Sequence, residues 1–285
     1  MSAPNACLNC GAELAGEYCA NCGQRKVARE EDLTLREFLE DTTQELAHWE
    51  GKVPRSLKTL FLAPGRLTLD FLAGRRARWL SPLRLYLICS LAYFLSDALA
   101  ESITHRAARE LDAMFITNAD GSRTLTTEAR AVIARGLPSR LFGQEKMERA
   151  IVNNAQFSRA IDTMYSRAMF VLLPYFALLT SIAWRRKMPR YPAHLYLALH
   201  LHAAWYGAFA ITALATIPFR SNVVAGITGA FGLVYAAVYG LLALHRVFGD
   251  SWLITIGKTA AVVTAYFVAL FATSLVVLSF AVVSI

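Results

Sequence analysis

Along the chain the apolar positions fall into two regimes that divide near Trp79. Before it they are sparse and periodic; after it they merge into long runs. Five runs, at about 80–99, 165–184, 193–218, 223–245 and 258–285, approach or exceed the roughly 20 residues that cross a bilayer as a helix. The pattern predicts an all-α integral membrane bundle of about five transmembrane helices over 80–285, with an extramembrane helical insert at 100–163. In the insert, Asp120-Gly121 marks a turn, and Leu125, Val132, Ile133 and Leu137 give apolar faces to two or three short helices.

Residues 32–79 read as cytoplasmic amphipathic and interfacial helices. Leu35, Phe38, Leu39, Thr42, Leu46 and Trp49 recur at helical spacing, and Thr34 with Glu37 forms a capping box ahead of them. The opposite face carries Glu40, Asp41, Glu45 and Glu50, so anionic lipid would repel it and protein is its expected cover. Two shorter apolar-faced pieces follow, broken at Pro64-Gly65 and bracketed by arginines, a pattern suited to the membrane interface. Ser81-Pro82 supplies an N-cap and a first-turn proline for span one, with Trp79 expected at headgroup level and Arg84 snorkelling back. Pro192 opens span three similarly, and Pro174 is expected to kink span two.

Composition supports this division. The chain is 55% hydrophobic with mean hydropathy +0.38, against about 45–50% apolar in an ordinary soluble domain. Its formal charge of +8 is concentrated beside the spans. Residues 51–79 hold Lys52, Arg55, Lys58, Arg66, Arg75, Arg76 and Arg78 against Asp70, and the loop after span two holds Arg185, Arg186, Lys187 and Arg190 against no acid. The positive-inside rule puts both in the cytoplasm. Five spans then give a multi-pass protein of the inner (cytoplasmic) membrane, N-terminus cytoplasmic and C-terminus external. Anionic lipid headgroups are the expected partner of these basic residues; nucleic acid is not, since no aromatic-interleaved basic patch or nucleic-acid fold signature accompanies them. The start, Met-Ser-Ala-Pro-Asn-Ala-Cys7, has no apolar leader, so span one is expected to direct insertion.

The strongest local signal is Cys7-Leu-Asn-Cys10-Gly11 followed by Cys19-Ala-Asn-Cys22-Gly23. Two Cys-x-x-Cys pairs bring four thiolates to one ion and complete a closed tetrahedral site. Gly11 and Gly23 each follow a second cysteine, where a positive φ turns backbone N–H groups toward the sulfurs. Residues 1–31 therefore read as a ribbon holding one structural zinc through Cys7, Cys10, Cys19 and Cys22. Two disulfides are the rival reading, disfavoured by a reducing cytosol; a thioredoxin-like pair lacks its βαβ context. Cys89, inside span one, reads as a small buried apolar residue.

The Cys-x-x-Cys-Gly repeat ending in Gly23-Gln24, then Arg55-Ser-Leu-Lys-Thr-Leu with Pro64-Gly65, Gly74-Arg75-Arg76, Trp79-Leu-Ser-Pro82 and His194-Leu-Tyr-Leu-Ala-Leu-His200, resembles the bacterial membrane family called domain of unknown function 3667. The resemblance covers the N-terminal third and one later helix. It implies a zinc ribbon joined to membrane spans and no particular reaction.

Ionisable residues inside spans are costly and hence functional candidates. Span three holds His194, His200 and His202, and His245 ends span four. His200 points nearly opposite His202, and His194 stands about 12 Å along the axis from His202, so one helix cannot gather all three around a metal. Packing histidines and an intramembrane proton relay, metal or ligand site both fit. Gly232, Ala236 and Gly240 repeat every four residues in span four, permitting close helix contact within the chain or in a homo-oligomer. No nucleotide loop, nucleophile elbow or zinc-protease helix occurs, so no enzymatic activity is assigned. The expected function is a membrane-anchored adaptor or regulator that docks a cytoplasmic protein partner through the ribbon and acidic helix. The alternative is a small permease or channel component using the polar residues of span three.

Overall fold

The computed structural model describes residues 6–26, 34–36, 51–104, 112–119, 123–152, 171–219 and 221–283. After the ribbon come α1 (Lys52–Leu62), α2 (Arg66–Leu72), α3 (Pro82–Thr104), β1 (Phe115–Thr117), β2 (Arg123–Leu125), α4 (Thr127–Arg135), α5 (Leu137–Phe142) and α6 (Gln144–Val152). Then follow α7 (Val171–Ala183), α8 (Tyr191–Thr216), α9 (Asn222–Phe248) and α10 (Trp252–Val283). Among the described residues four helices are long and apolar enough to cross a membrane: Pro82–Ile103, Tyr191–Thr216, Val223–Phe248 and Trp252–Phe280. They correspond to the first, third, fourth and fifth expected spans. The second appears as the shorter apolar α7; its expected beginning lies outside the described residues, as does nearly all of the amphipathic helix expected at 35–49.

The chain divides into two compact units. Unit one comprises the ribbon, α1, α2, most of α3, and the segment from α7 through α9 into the start of α10. Within it α1 and α2 form a hairpin whose break at Pro64-Gly65 is dictated by space as well as by backbone conformation. Gly65 has φ 75°, and a Cβ there would stand 2.9 Å from the Ala243 carbonyl oxygen of α9. The second helix ends at Gly74 (φ 73°), with Gly74 N–H bonded to Phe71 O and Arg75 N–H to Asp70 O, the paired closure of a Schellman turn.

The hairpin buries Leu60, Leu67, Phe71 and Leu72, and Phe61 packs on Gly207 of α8. Carbonyls at a helix C-terminus have no partner in their own helix, and leaving them bare in apolar surroundings is costly. Here α9 supplies the donors. Tyr239 Oη donates to Leu60 O at 2.6 Å and Tyr235 Oη to Phe61 O at 3.1 Å, while Arg246 donates to Pro64 O. The small-residue strip of α9 faces inward on α8: Gly232 abuts Phe209, Gly240 abuts Trp205, and Trp205 Nε1 donates to Ala236 O at 3.1 Å.

At the start of span one two expectations are corrected, and Trp79 has a partner that the sequence does not show. Trp79 is 7% exposed and donates from Nε1 to Asp70 Oδ2 at 3.0 Å, so it is a core residue tied to a buried carboxylate. Arg84 is buried. Although α3 begins at Pro82 as expected, the Ser81 hydroxyl is buried without a hydrogen-bond partner and caps nothing.

Unit two spans 101–172 and 264–285. Its expected short helices are present as α4, α5 and α6, with Thr126 capping α4 by accepting from Ala129 N–H at 3.1 Å. The sequence reading missed an antiparallel pair, β1 with β2, in the register Phe115↔Leu125 and Ile116↔Thr124, with Arg123 over the Phe115 ring. β-branched residues on both sides of the expected turn favour this pairing. Met147 and Ala150 form a small core with Ile133, Phe142 and Leu278. Val132 and Leu137, expected on apolar faces, are exposed.

Candidate metal centre

The ribbon is two copies of one turn. In the first, Cys7 N–H bonds Ala12 O and Gly11 N–H returns to Cys7 O; in the second, Cys19 N–H bonds Gln24 O and Gly23 N–H returns to Cys19 O, all at 2.8 Å. Gly11 and Gly23 take the expected positive φ, 79° and 69°. Short bridges, Ala6 with Glu13 and Tyr18 with Arg25, close each knuckle.

The knuckles face each other, with Cys7 Sγ 3.6 Å from Cys22 Sγ and Cys10 Sγ 3.5 Å from Cys19 Sγ. All four sulfurs lie within 4.8 Å of one another, and none is in a disulfide. A tetrahedral ion with metal–sulfur bonds of about 2.3 Å would space its ligands about 3.8 Å apart, so the arrangement fits one metal ion. Cys7 and Cys19 are buried while Cys10 is exposed. A hydrogen bond from the Ala12 backbone, then the Asn21 side chain, pulls the Cys10 thiol down to about 6, toward the thiolate a metal requires.

The ribbon is fastened to the polypeptide that joins α2 to α3. Gln24 is 5% exposed; its amide nitrogen donates to Gly74 O at 2.7 Å, and its carbonyl accepts from Arg76 N–H and Ala77 N–H, both at 2.9 Å. Arg78 reaches the first knuckle, donating to Asn9 Oδ1 at 3.3 Å and Asn9 O at 3.2 Å. Leu8 lies so close to Gly74 that a Cβ there would meet its Cδ1 at 2.4 Å. Beneath this contact Asp70, fully buried, takes Arg75 at 2.6 Å and Arg66 at 3.5 Å as well as Trp79. Gln24 appeared in the sequence only as the residue after a knuckle glycine. Its role needs a partner fifty residues away, which no local spacing reveals.

The candidate histidines do not form one site. His194 is fully buried, with Nδ1 3.1 Å from Thr180 Oγ1 of α7 and Nε2 2.9 Å from Met188 O. His200 pairs through Nδ1 with Thr68 Oγ1 of α2 at 3.0 Å and meets the Phe71 ring edge-on. His202 Nδ1 lies 2.8 Å from Ala198 O, its ring against Phe176 and Trp205. His245 stacks on Trp252 with centroids 3.7 Å apart. Each joins a different pair of neighbours. Among the described residues, the one group of cysteine, histidine or carboxylate side chains placed to hold a metal is the four-cysteine set.

Comparison with known families finds a match at residues 50–94 to the family described as "Protein of unknown function (DUF3667)". The matched stretch is the α1–α2 hairpin, the linker that Gln24 grips, and the first half of α3. No curated protein and no solved structure matches the chain.

Proposed function

We propose that this chain is an inner-membrane adaptor whose zinc-loaded ribbon presents a cytoplasmic partner-docking surface at a fixed place above its own spans. The observation that carries the reading is the Gln24 contact with Gly74, Arg76 and Ala77. A ribbon on a free tether needs no such buried, three-bond attachment. Clamped in this way, the ribbon leaves Tyr18, 61% exposed, and the acids Glu13 and Glu17 open to solvent. Exposed aromatics are common anchors of protein interfaces. Four sulfur ligands and a closed tetrahedron favour zinc in a structural role.

The orientation rests on basic residues at the α7–α8 turn and on the hairpin. Reporter fusions after Trp184, Arg220 and Ile285 should read cytoplasmic, external and external. Docking is tested by crosslinking and recovery from membranes with the full chain and with a chain lacking 1–31. Partners recovered by the first alone support the adaptor; identical partner sets contradict it.

A further inference from the structure

At the arginine-rich end of unit one a cleft of about 430 Å³ opens between the end of α2, the α7–α8 turn and the end of α9. Its walls are Leu69, Leu72, Ala73, Met188, Val247 and Phe248, with Lys187 as the charged member. The volume falls within the roughly 300–1,000 Å³ typical of small-ligand sites. One wall is held in place: Phe248 stacks on Trp184 at 4.3 Å and on His194 at 5.8 Å, and α9 closes at Gly249 (φ 60°).

The charge around the cleft is uneven in one direction. Lys187 and Lys258 share the single carboxylate of Asp250, at 2.5 and 3.1 Å. On the α2 side, Arg66 and Arg75 share the single carboxylate of Asp70. Each cluster is left with one positive charge in excess. Lys187 is 43% exposed and spends two of its three N–H donors, on Asp250 and on Phe248 O. Arg66 is 57% exposed and lies on the same face of α2 as Leu69 and Ala73, at i, i+3 and i+7. A cleft of mixed apolar and polar surface at the end of α9, with the Lys187 ammonium in its wall and Arg66 exposed on the adjoining helix α2, matches a molecule with a hydrocarbon chain and an anionic head.

We propose that this cleft is a binding site for one anionic glycerophospholipid, an acyl chain lying against Leu69, Leu72, Val247 and Phe248 and the phosphate held by Lys187 and Arg66. No ribbon residue lines the cleft, so the proposal stands apart from the docking role of the ribbon. Native mass spectrometry of the detergent-purified full chain, titrated with short-chain phosphatidylglycerol, phosphatidylcholine or glycerol 3-phosphate, tests it. Phosphatidylglycerol should bind at least tenfold more tightly than either of the others. Ala73→Phe, which fills the slot, and Arg66→Gln, which removes an exposed excess charge, should each weaken it at least fivefold with the thermal midpoint held. Equal binding of the two lipids would overturn the charge argument, and glycerol 3-phosphate binding as tightly as phosphatidylglycerol would make this a soluble-anion site. Unchanged phosphatidylglycerol binding in both variants would place any lipid elsewhere.

Discussion

Gln24 and Gly74 are fifty residues apart, yet the side-chain amide of the first closes on the backbone carbonyl of the second at 2.7 Å, joining the ribbon to the hairpin. Because Gln24 also accepts from two N–H groups, replacing it removes the partner of three backbone groups at once, two of them in buried bonds. Gln24→Ala should leave the bound metal intact, since no thiolate is touched. Hydrogen exchange at the Arg76 and Ala77 amides should accelerate by tenfold or more. Unchanged exchange would mean that Gln24 does not hold the linker.

Gly51 and Gly65 have nearly the same backbone, φ 71° and 75°, in very different surroundings. A Cβ at Gly51 meets nothing within 4 Å, whereas one at Gly65 meets the α9 backbone. Gly51→Ala should cost about 1 kcal/mol for the left-handed conformation. Gly65→Ala should add about 1–3 kcal/mol for displacing packed backbone. Thermal midpoints of the two variants decide this, and equal losses would contradict the close seating of hairpin on α9.

Much of this architecture is legible in sequence because its causes are local. The four long helices need only apolar length, and the knuckles need only cysteine and glycine spacing, which is enough to read both the clustering of the four sulfurs and the positive φ of Gly11 and Gly23. An indole beside a hydrophobic run suits the headgroup region whatever else it touches, and only the fold reveals the buried Asp70 that takes the Trp79 N–H. The protein contacts of the hairpin were hidden for a similar reason. Its amphipathic pattern states that one face seeks apolar cover without naming lipid or protein, and Tyr235 and Tyr239, which cap α1, and Arg246, which bonds the Pro64 carbonyl after it, lie more than 170 residues downstream. The histidines of α8 were visible as intramembrane polar groups, but their separate partners, Thr180, Thr68 and Ala198 O, depend on tertiary packing.

The turn between α9 and α10 should be sensitive to strong acid. Asp250 is held down to about 2, chiefly by the Lys187 ammonium, with Lys258 and the Trp184 N–H adding to it against the opposing effect of burial. A depressed carboxyl binds its proton more readily in the unfolded chain, where it titrates near 3.9. Its stabilising contribution is therefore complete above about pH 4 and lost as pH falls through about 2. Trp184 donates to Asp250 at 2.9 Å, so tryptophan emission should report the change, and Asp250→Asn should remove that component. An acid profile identical in parent and variant would contradict the assignment.

The central claim is that four thiolates from two knuckles hold one ion and so shape the surface that Gln24 fastens to the membrane unit. Elemental analysis of the purified full chain beside Cys22→Ser tests it most directly. Little else is available to fold a segment this small, and comparable zinc sites supply on the order of 10 kcal/mol or more. One zinc per chain is predicted in the parent and none in Cys22→Ser, with both proteins recovered from the membrane fraction. A Cys22→Ser chain that still carries one tightly held ion would contradict the four-cysteine centre.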